Sequence, residues 1–531
     1  MSLSRRSVLR MTGVAAAGAL AAGVRPARAQ AEVRTRVLIV GSGPGGSVAA
    51  DRLTATGAEC TVIERGRRWQ PGDFPPALQP DTRTLWLDET SDVIDTADTL
   101  SSLGVPGLSG VLAQVSGLPG GRALSTGLTD VVASATVQTV CGAGVGGSSL
   151  IYGAVLPQPT EDTLARILPD VDYGELDEVY YPRARRGIGA SPIPDDVLAH
   201  SRYAGQRAFA AGAQRAGVRT ERVDLGIAWD AVRRELAPDG PTGASTGDYI
   251  LTGTNSGAKI SFDRSYLARA EATGRCTVLP LHQLTRLTTS PGGGYTATVD
   301  TLDEAGARTG TVRITADAVV LAAGAAHTPG ILVRARDTGA LPRLSAEVGH
   351  GWGTNADQAG TEPLNTTPGG PPPFIAHDDT AEHATIEPFT LGAHAGPVTA
   401  GAVLGLGMGV TSGTGTWSLG PAGLPVLTWN PATDGPAQAA TRALAGRLTE
   451  GGGPPTITAF PPTPVLTAHP LGGAVLGRAT DAYGRLEGYQ GLYCLDGSLI
   501  PGSTGGVNPT LTITAIVERC LDDIVRRDLA A

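Results

Sequence analysis

Short apolar runs punctuated by glycine open the readable part of the chain. Residues 36–40 (RVLIV) predict a strand, Gly41 begins a glycine turn, and 47–56 predict a helix with Val48, Ala49 and Leu53 on its inner face. A second strand at 60–63 ends in Glu64. Together they form a β-α-β unit of the kind that builds a parallel sheet. Residues 70–140 are rich in Pro, Gly and Thr and predict mostly irregular chain. Helical periodicity returns at 161–186 and 202–216, and alternation at 277–287 and 295–302 predicts strands. A buried strand is expected at 316–323, meeting Gly324, with a helix running on through Leu332. The stretch 356–464 is again Gly-, Pro- and Thr-rich, with apolar alternation at 399–410 and 424–429, and predicts the sheet and loops of a second domain. The segment 491–528 predicts strand, glycine loop and helix, with Asn508 at the N-cap and Pro509 in the first helical position.

A length of 531 residues exceeds the usual single domain and predicts two. Charged residues make up only 17%, the net charge is -9, and no basic stripe is interleaved with aromatics, so a nucleic-acid partner is excluded. Cys60, Cys141, Cys276, Cys494 and Cys520 are scattered, odd in number and without a C-x-x-C pair. Neither a metal site nor a disulfide framework is therefore expected, although one disulfide could form in an oxidising compartment. Residues 1–31 read as an address: Arg5-Arg6 within a twin-arginine pattern, a Gly/Ala-rich apolar run, and Ala27-Arg28-Ala29 as a cleavage signal. The expectation is export by the twin-arginine route, to the medium or to the periplasm or cell wall. Cleavage after Ala29 would remove five arginines and carry the net charge from -9 to -14.

Candidate chemistry begins with Gly41-Ser-Gly43-Pro-Gly-Gly46, a G-x-G-x-x-G turn between strand and helix. It lets the backbone approach a pyrophosphate at the helix N-terminus, and Glu64 stands where an acid bonds a ribose hydroxyl. That acid disfavours a 2′-phosphate. A second glycine segment containing Gly144, Gly146 and Gly147, with Ser148 after it, can lay N–H groups along a longer cofactor. Asp496 ends a later strand before Gly497, placed to accept from ribityl hydroxyls. The positive end of the last helix would favour negative charge developing on a flavin ring.

The chain resembles the glucose–methanol–choline flavin oxidoreductases, and among them the non-covalent bacterial cholesterol oxidases. The likeness is carried by VLIVGSGPGG, GVGGSSLIYGAV (144–155), SFDRSYLARA (261–270), VRARDTGALPRL (333–344), GWGTN (351–355) and the block 468–520. It implies FAD as cofactor and an α/β fold. A discontinuous Rossmann-like FAD domain (32–110, 245–335, 465–531) would be joined to a substrate domain of mixed sheet and helices (155–244, 336–464). It also implies oxidation of a bulky hydrophobic, sterol-like alcohol with O₂ as acceptor, and a transient contact with a membrane surface. His469, in His469-Pro470-Leu471-Gly472-Gly473, matches the histidine facing the flavin, and Asn508 matches the active-site asparagine. A neutral imidazole can accept the hydroxyl proton while an amide holds the alcohol oxygen. His282, His327 and His394 sit in no comparable motif.

Two departures stand out. Tyr152, grouped here with the cofactor contacts, replaces an asparagine. The glutamate that moves the steroid double bond is also missing from its matching segment, 391–397. Glu387 is the nearest acid and the candidate for that role, with Glu382 beyond it, but a surface or paired acid is the plainer reading of Glu387 and isomerisation is doubtful. Two alternatives share these residues: an FAD-dependent dehydrogenase using another acceptor, and a non-redox lyase of the same superfamily.

Overall fold

The computed structural model describes residues 31–75, 86–87, 124–247, 249–363, 369–380, 382–390, 402–451 and 465–529. The stretch 1–30 of the expected address, and the segment 391–397 with His394, lie outside them.

Its largest sheet has seven strands. Cys276–Leu279, Cys60–Ile63, Ala31–Val40 and Arg308–Leu321 run parallel to one another in that order. Arg308–Leu321 is long enough to hold two partners on its other edge: the antiparallel hairpin Tyr295–Leu302 and His282–Thr289, then Leu492–Cys494 in parallel. Its burial changes accordingly, alternating near the hairpin and becoming continuous over the last four residues, as strands covered on both faces require. Pro44–Ala55 packs on this sheet through Val48, Ala49 and Leu53, all buried. The final helix, Pro509–Arg527, lies beside it, tied by Arg52 donating to Glu518 (2.9 Å).

A second sheet of five antiparallel strands is ordered Gln358–Pro363, Ala402–Gly409, Ala384–Thr390, Phe374–Asp378, Arg219–Arg222. One face is covered by the helix Gly435–Glu450, whose buried positions are Ala437, Ala440, Thr441, Leu444, Ala445 and Leu448. Along Ala384–Thr390 the pleat divides the side chains. Ile386 joins the cluster with Leu444 and Leu448, whereas Thr385, Glu387 and Phe389 face the other way, toward the last helix and the central cavity. The fold is α/β with mixed sheets.

Two expectations fail locally. Residues 70–140 are not mostly irregular at their end, since Thr129–Ala133 and Val137–Gly142 form a hairpin extended in parallel by Val465–Thr467. The Gly/Pro/Thr-rich second half contains the 16-residue helix Gly435–Glu450, where only sheet and loops were expected.

Candidate active site

A cavity of about 540 Å³ runs between the two sheets, from the first glycine turn to the start of the last helix. At one end the helix Pro44–Ala55 begins with no side chain capping it. Its first-turn N–H groups are left for a ligand, and an anion is what that position favours. The two glycine turns meet here: a Cβ on Gly147 would stand 2.6 Å from the Cα of Gly43. Gly41, Gly43, Gly147 and Ser148 line the cavity, and Gly46 sits inside the turn against the Gly41 carbonyl. Gly144 and Gly146 build the second turn behind the lining, beside Trp69 and Asp263 respectively.

Glu64 is buried and locks the first turn. Its Oε2 accepts the Ser42 N–H (3.2 Å) and hydroxyl (2.7 Å), and its Oε1 accepts the Gly66 N–H (2.9 Å). Oε1 retains a lone pair for a ribose hydroxyl. Asp496 lines the cavity and is also held by the chain around it. Oδ2 takes the Gly324 N–H (2.8 Å) and the Thr328 hydroxyl (2.6 Å), and Oδ1 takes the Ser498 N–H (2.7 Å). The carboxylate is a clasp between chain segments, and the Asp496-Gly497 stretch meets the cavity as part of its wall. Tyr152 lines the cavity; its hydroxyl donates to the Ile260 carbonyl (2.6 Å), which leaves its ring and the phenolic oxygen as acceptor for a cofactor.

At the other end stand His469, Asn508 and, close behind them, Glu387. His469 Nδ1 lies 2.8 Å from Asp357 Oδ1. A carboxylate only accepts, so Nδ1 carries the proton and Nε2 keeps its lone pair. Asn508 occupies the N-cap position without capping; its Nδ2 donates to Glu387 Oε2 at 3.3 Å. Glu387 is fully buried, which overturns its reading as a surface acid. Burial pushes its carboxyl up to about 8, opposed by the Asn508 amide and reinforced by the charge of Asp357. Among the described residues Glu387 Oε1 and Asn508 Oδ1 are both buried without a partner, as expected where a ligand is to be met. Uncapped helix, facing glycines and unmet polar atoms at opposite ends of one cavity together fit an extended dinucleotide with a reacting ring near His469.

Sequence reasoning passed over two features. Asp357 stands two residues after the GWGTN segment, and its proximity to His469 is the mark of its use. Arg65, Asp130, Cys141 and His327 form a cluster on the cavity wall, with Arg65 on Asp130 (2.5 Å) and His327 on the same oxygen (3.1 Å). Although burial opposes it, Arg65 and His327 hold the Asp130 carboxyl below its ordinary value. The ligand-type atoms of Asp130, Cys141 and His327 lie within 4.8 Å of one another, but the charge of the acid is already met by Arg65. His282 also lines the cavity, its Nδ1 held by the Pro280 carbonyl (2.7 Å).

The N-terminal model of the GMC oxidoreductase family matches residues 38–337 and its C-terminal model residues 459–516. A cholesterol oxidase of Mycobacterium tuberculosis is 28% identical over 91% of this chain and 90% of its own. One from Acinetobacter baumannii is 23% identical over 92% and 94%. Among solved structures, pyridoxine 4-oxidase from Mesorbium loti superposes with a TM-score of 0.60 at 16% identity, covering 93% of this chain and 99% of that one. A formate oxidase matches with 0.60 at 14%, covering 94% and 99%. With the first glycine turn and all but the last four residues of the block 468–520 inside the matched segments, the chain belongs to the GMC oxidoreductase family, and is an FAD-dependent oxidoreductase acting on CH–OH donors.

Proposed function

We propose that this enzyme oxidises a bulky apolar secondary alcohol, 3β-hydroxysteroid-like, to the ketone, with O₂ as electron acceptor, after export by the twin-arginine route. The observation that carries the reading is the convergence of His469, with Nε2 open, and the Asn508–Glu387 pair at one end of a cavity whose wall is largely apolar. Ile151, Val155, Ile250, Leu251, Phe389 and Leu406 line it, and such a wall suits a hydrocarbon skeleton better than a sugar. FAD, when bound, supplies the two-electron acceptor for the carbinol hydride. Nε2 of His469 takes the hydroxyl proton as the C=O forms, and the Asn508 amide holds the oxygen so that the carbinol hydrogen points at the flavin. The relatives named cholesterol oxidase support the sterol class; the structural neighbours named for pyridoxine and formate are similar in fold only.

Glu387 supports a second step. A carboxyl poised at about 8 is well matched to carry a proton between two carbons near neutral pH. In an unsaturated steroid it would take a proton beside the new ketone and return it further along, leaving a conjugated enone. Incubation with a 3β-hydroxy-5-ene steroid and with a panel of short alcohols, following peroxide and products, tests both steps. We expect peroxide and a conjugated ketone from the steroid and far less from the short alcohols. Turnover confined to short polar alcohols would overturn the sterol reading, and turnover without peroxide would favour another electron acceptor.

A further inference from the structure

Asp357 opens the way from the GWGTN turn into the strand Gln358–Pro363 and is 3% exposed. Its oxygens hold residues 467–469 at three points. Oδ1 meets His469 Nδ1 (2.8 Å), while Oδ2 accepts the Ala468 N–H (3.0 Å) and the Thr467 hydroxyl (2.8 Å). The Thr467 oxygen in turn accepts the His469 N–H (3.0 Å). Backbone and ring of His469 are thus fixed from one side, and the free edge of the ring faces the cavity.

The titratable groups around Asp357 come from three elements: His469, Glu387 on Ala384–Thr390, and Asp434 at the start of Gly435–Glu450. Asp434 is buried, bonded by the hydroxyls of Thr354 and Thr411. Burial pushes the carboxyls of Asp434 and Glu387 upward, and the charge of Asp357 adds to both. Burial thus disfavours charge on both acids beside Asp357, which is itself the carboxylate that touches the imidazole.

We propose that Asp357 is a positioning residue for alcohol oxidation: it imposes the Nδ1–H tautomer on His469 and holds a negative charge against the imidazolium. The O–H bond of the alcohol breaks, the N–H bond forms at Nε2, the proton on Nδ1 stays, and the new positive charge is balanced at 2.8 Å. This inference rests on His469 being the proton acceptor.

The test uses FAD-loaded Asp357→Asn. An asparagine oxygen can still face Nδ1, but its NH₂ then confronts the Ala468 N–H and loses the acceptor. Turnover should fall about 10²- to 10⁴-fold with flavin content unchanged. The acid limb of kcat/KM should move to lower pH by roughly one unit, because the base has lost its counter-charge. Nitrogen-15 NMR of histidine-labelled holoenzyme should place the His469 proton on Nδ1 in the wild type and redistribute it in the variant. Turnover within about threefold and an unmoved acid limb would overturn the proposal. If Asp357→Asn does not fold, Thr467→Val decides: it keeps the charge of Asp357 but removes one bond to Oδ2 and the acceptor of the His469 N–H. Turnover should then fall about tenfold or more with flavin content unchanged and the Nδ1–H signal redistributed, and unchanged turnover and tautomer count against the proposal. If no alcohol reduces the wild type, the proposed function falls and the tautomer alone judges Asp357. An Nε2–H ring then rejects it, and an Nδ1–H ring lost in the variant upholds the positioning.

Discussion

An asparagine just before a proline at a helix start ordinarily folds its side chain back onto the free N–H groups of the first turn. Asn508 does not. Its amide goes to Glu387, and the first turn of Pro509–Arg527 stays open toward the cavity. Replacing Glu387 with glutamine, close in shape to the protonated acid, should leave alcohol oxidation within a few-fold. The conjugated product should drop about 100-fold or more, which enone absorbance would register; undiminished enone would free Glu387 of its role. The same residue bears on stability. Its carboxyl is held at about 8 against an ordinary 4.5, so between these values the folded protein keeps a proton that the unfolded chain has released. The stability it contributes is complete below the lower value and is lost as pH rises toward the upper one. Urea midpoints should therefore decline from pH 5 to pH 8.5 more steeply in the wild type than in Glu387→Gln. His469 was legible because its motif surrounds it. Glu387 was set ahead of Glu382 by nearness alone, and its burial was not legible, since only the pleat of a strand whose partners lie elsewhere decides which acid turns inward and which, like Glu382, stays exposed. Asp357 was hidden for the same reason, being defined by a contact across 112 residues.

Among the elements, the first β-α-β unit was readable in order and place because its signals are local: apolar runs, a glycine turn, an acid at a strand end. Its first strand and helix begin earlier than the apolar pattern shows, at Ala31 and Pro44 rather than 36 and 47. The hairpin Thr129–Ala133 and Val137–Gly142 was missed, as its third strand arrives from Val465–Thr467. Gly435–Glu450 escaped because its buried face is built largely from Ala and Thr, which give weak periodic contrast. Asp496 shows what an element end hides from the sequence. It lines the cavity where a cofactor contact was expected, and its carboxylate also joins the Gly324 loop, Thr328 and the Ser498 turn. Asp496→Ala should cost about 3 kcal/mol or more, with the donors left unmet at roughly 1–3 kcal/mol each. The loss should be as large without FAD as with it. Chemical denaturation of both forms checks this, and a loss seen only with FAD bound would return Asp496 to the cofactor.

Across the whole molecule, the cavity is walled by chain regions far apart in sequence: the first glycine turn, the second glycine segment, the sheet around Phe389 and the last 70 or so residues. A ligand that touches all of them binds only the assembled fold. At a thousandfold excess of FAD over its dissociation constant the holoprotein should gain about 4 kcal/mol, visible in calorimetry as a higher Tm that rises with added FAD. An unchanged Tm would mean that FAD does not bridge these walls. The central claim is that one cavity brings an alcohol, a bound flavin and the open nitrogen of His469 together. Anaerobic addition of a 3β-hydroxysteroid to the yellow protein tests it most directly. The flavin band at about 450 nm should bleach in the wild type, and His469→Gln should keep its flavin but bleach more slowly by about 100-fold or more. Equal bleaching in both proteins would contradict it.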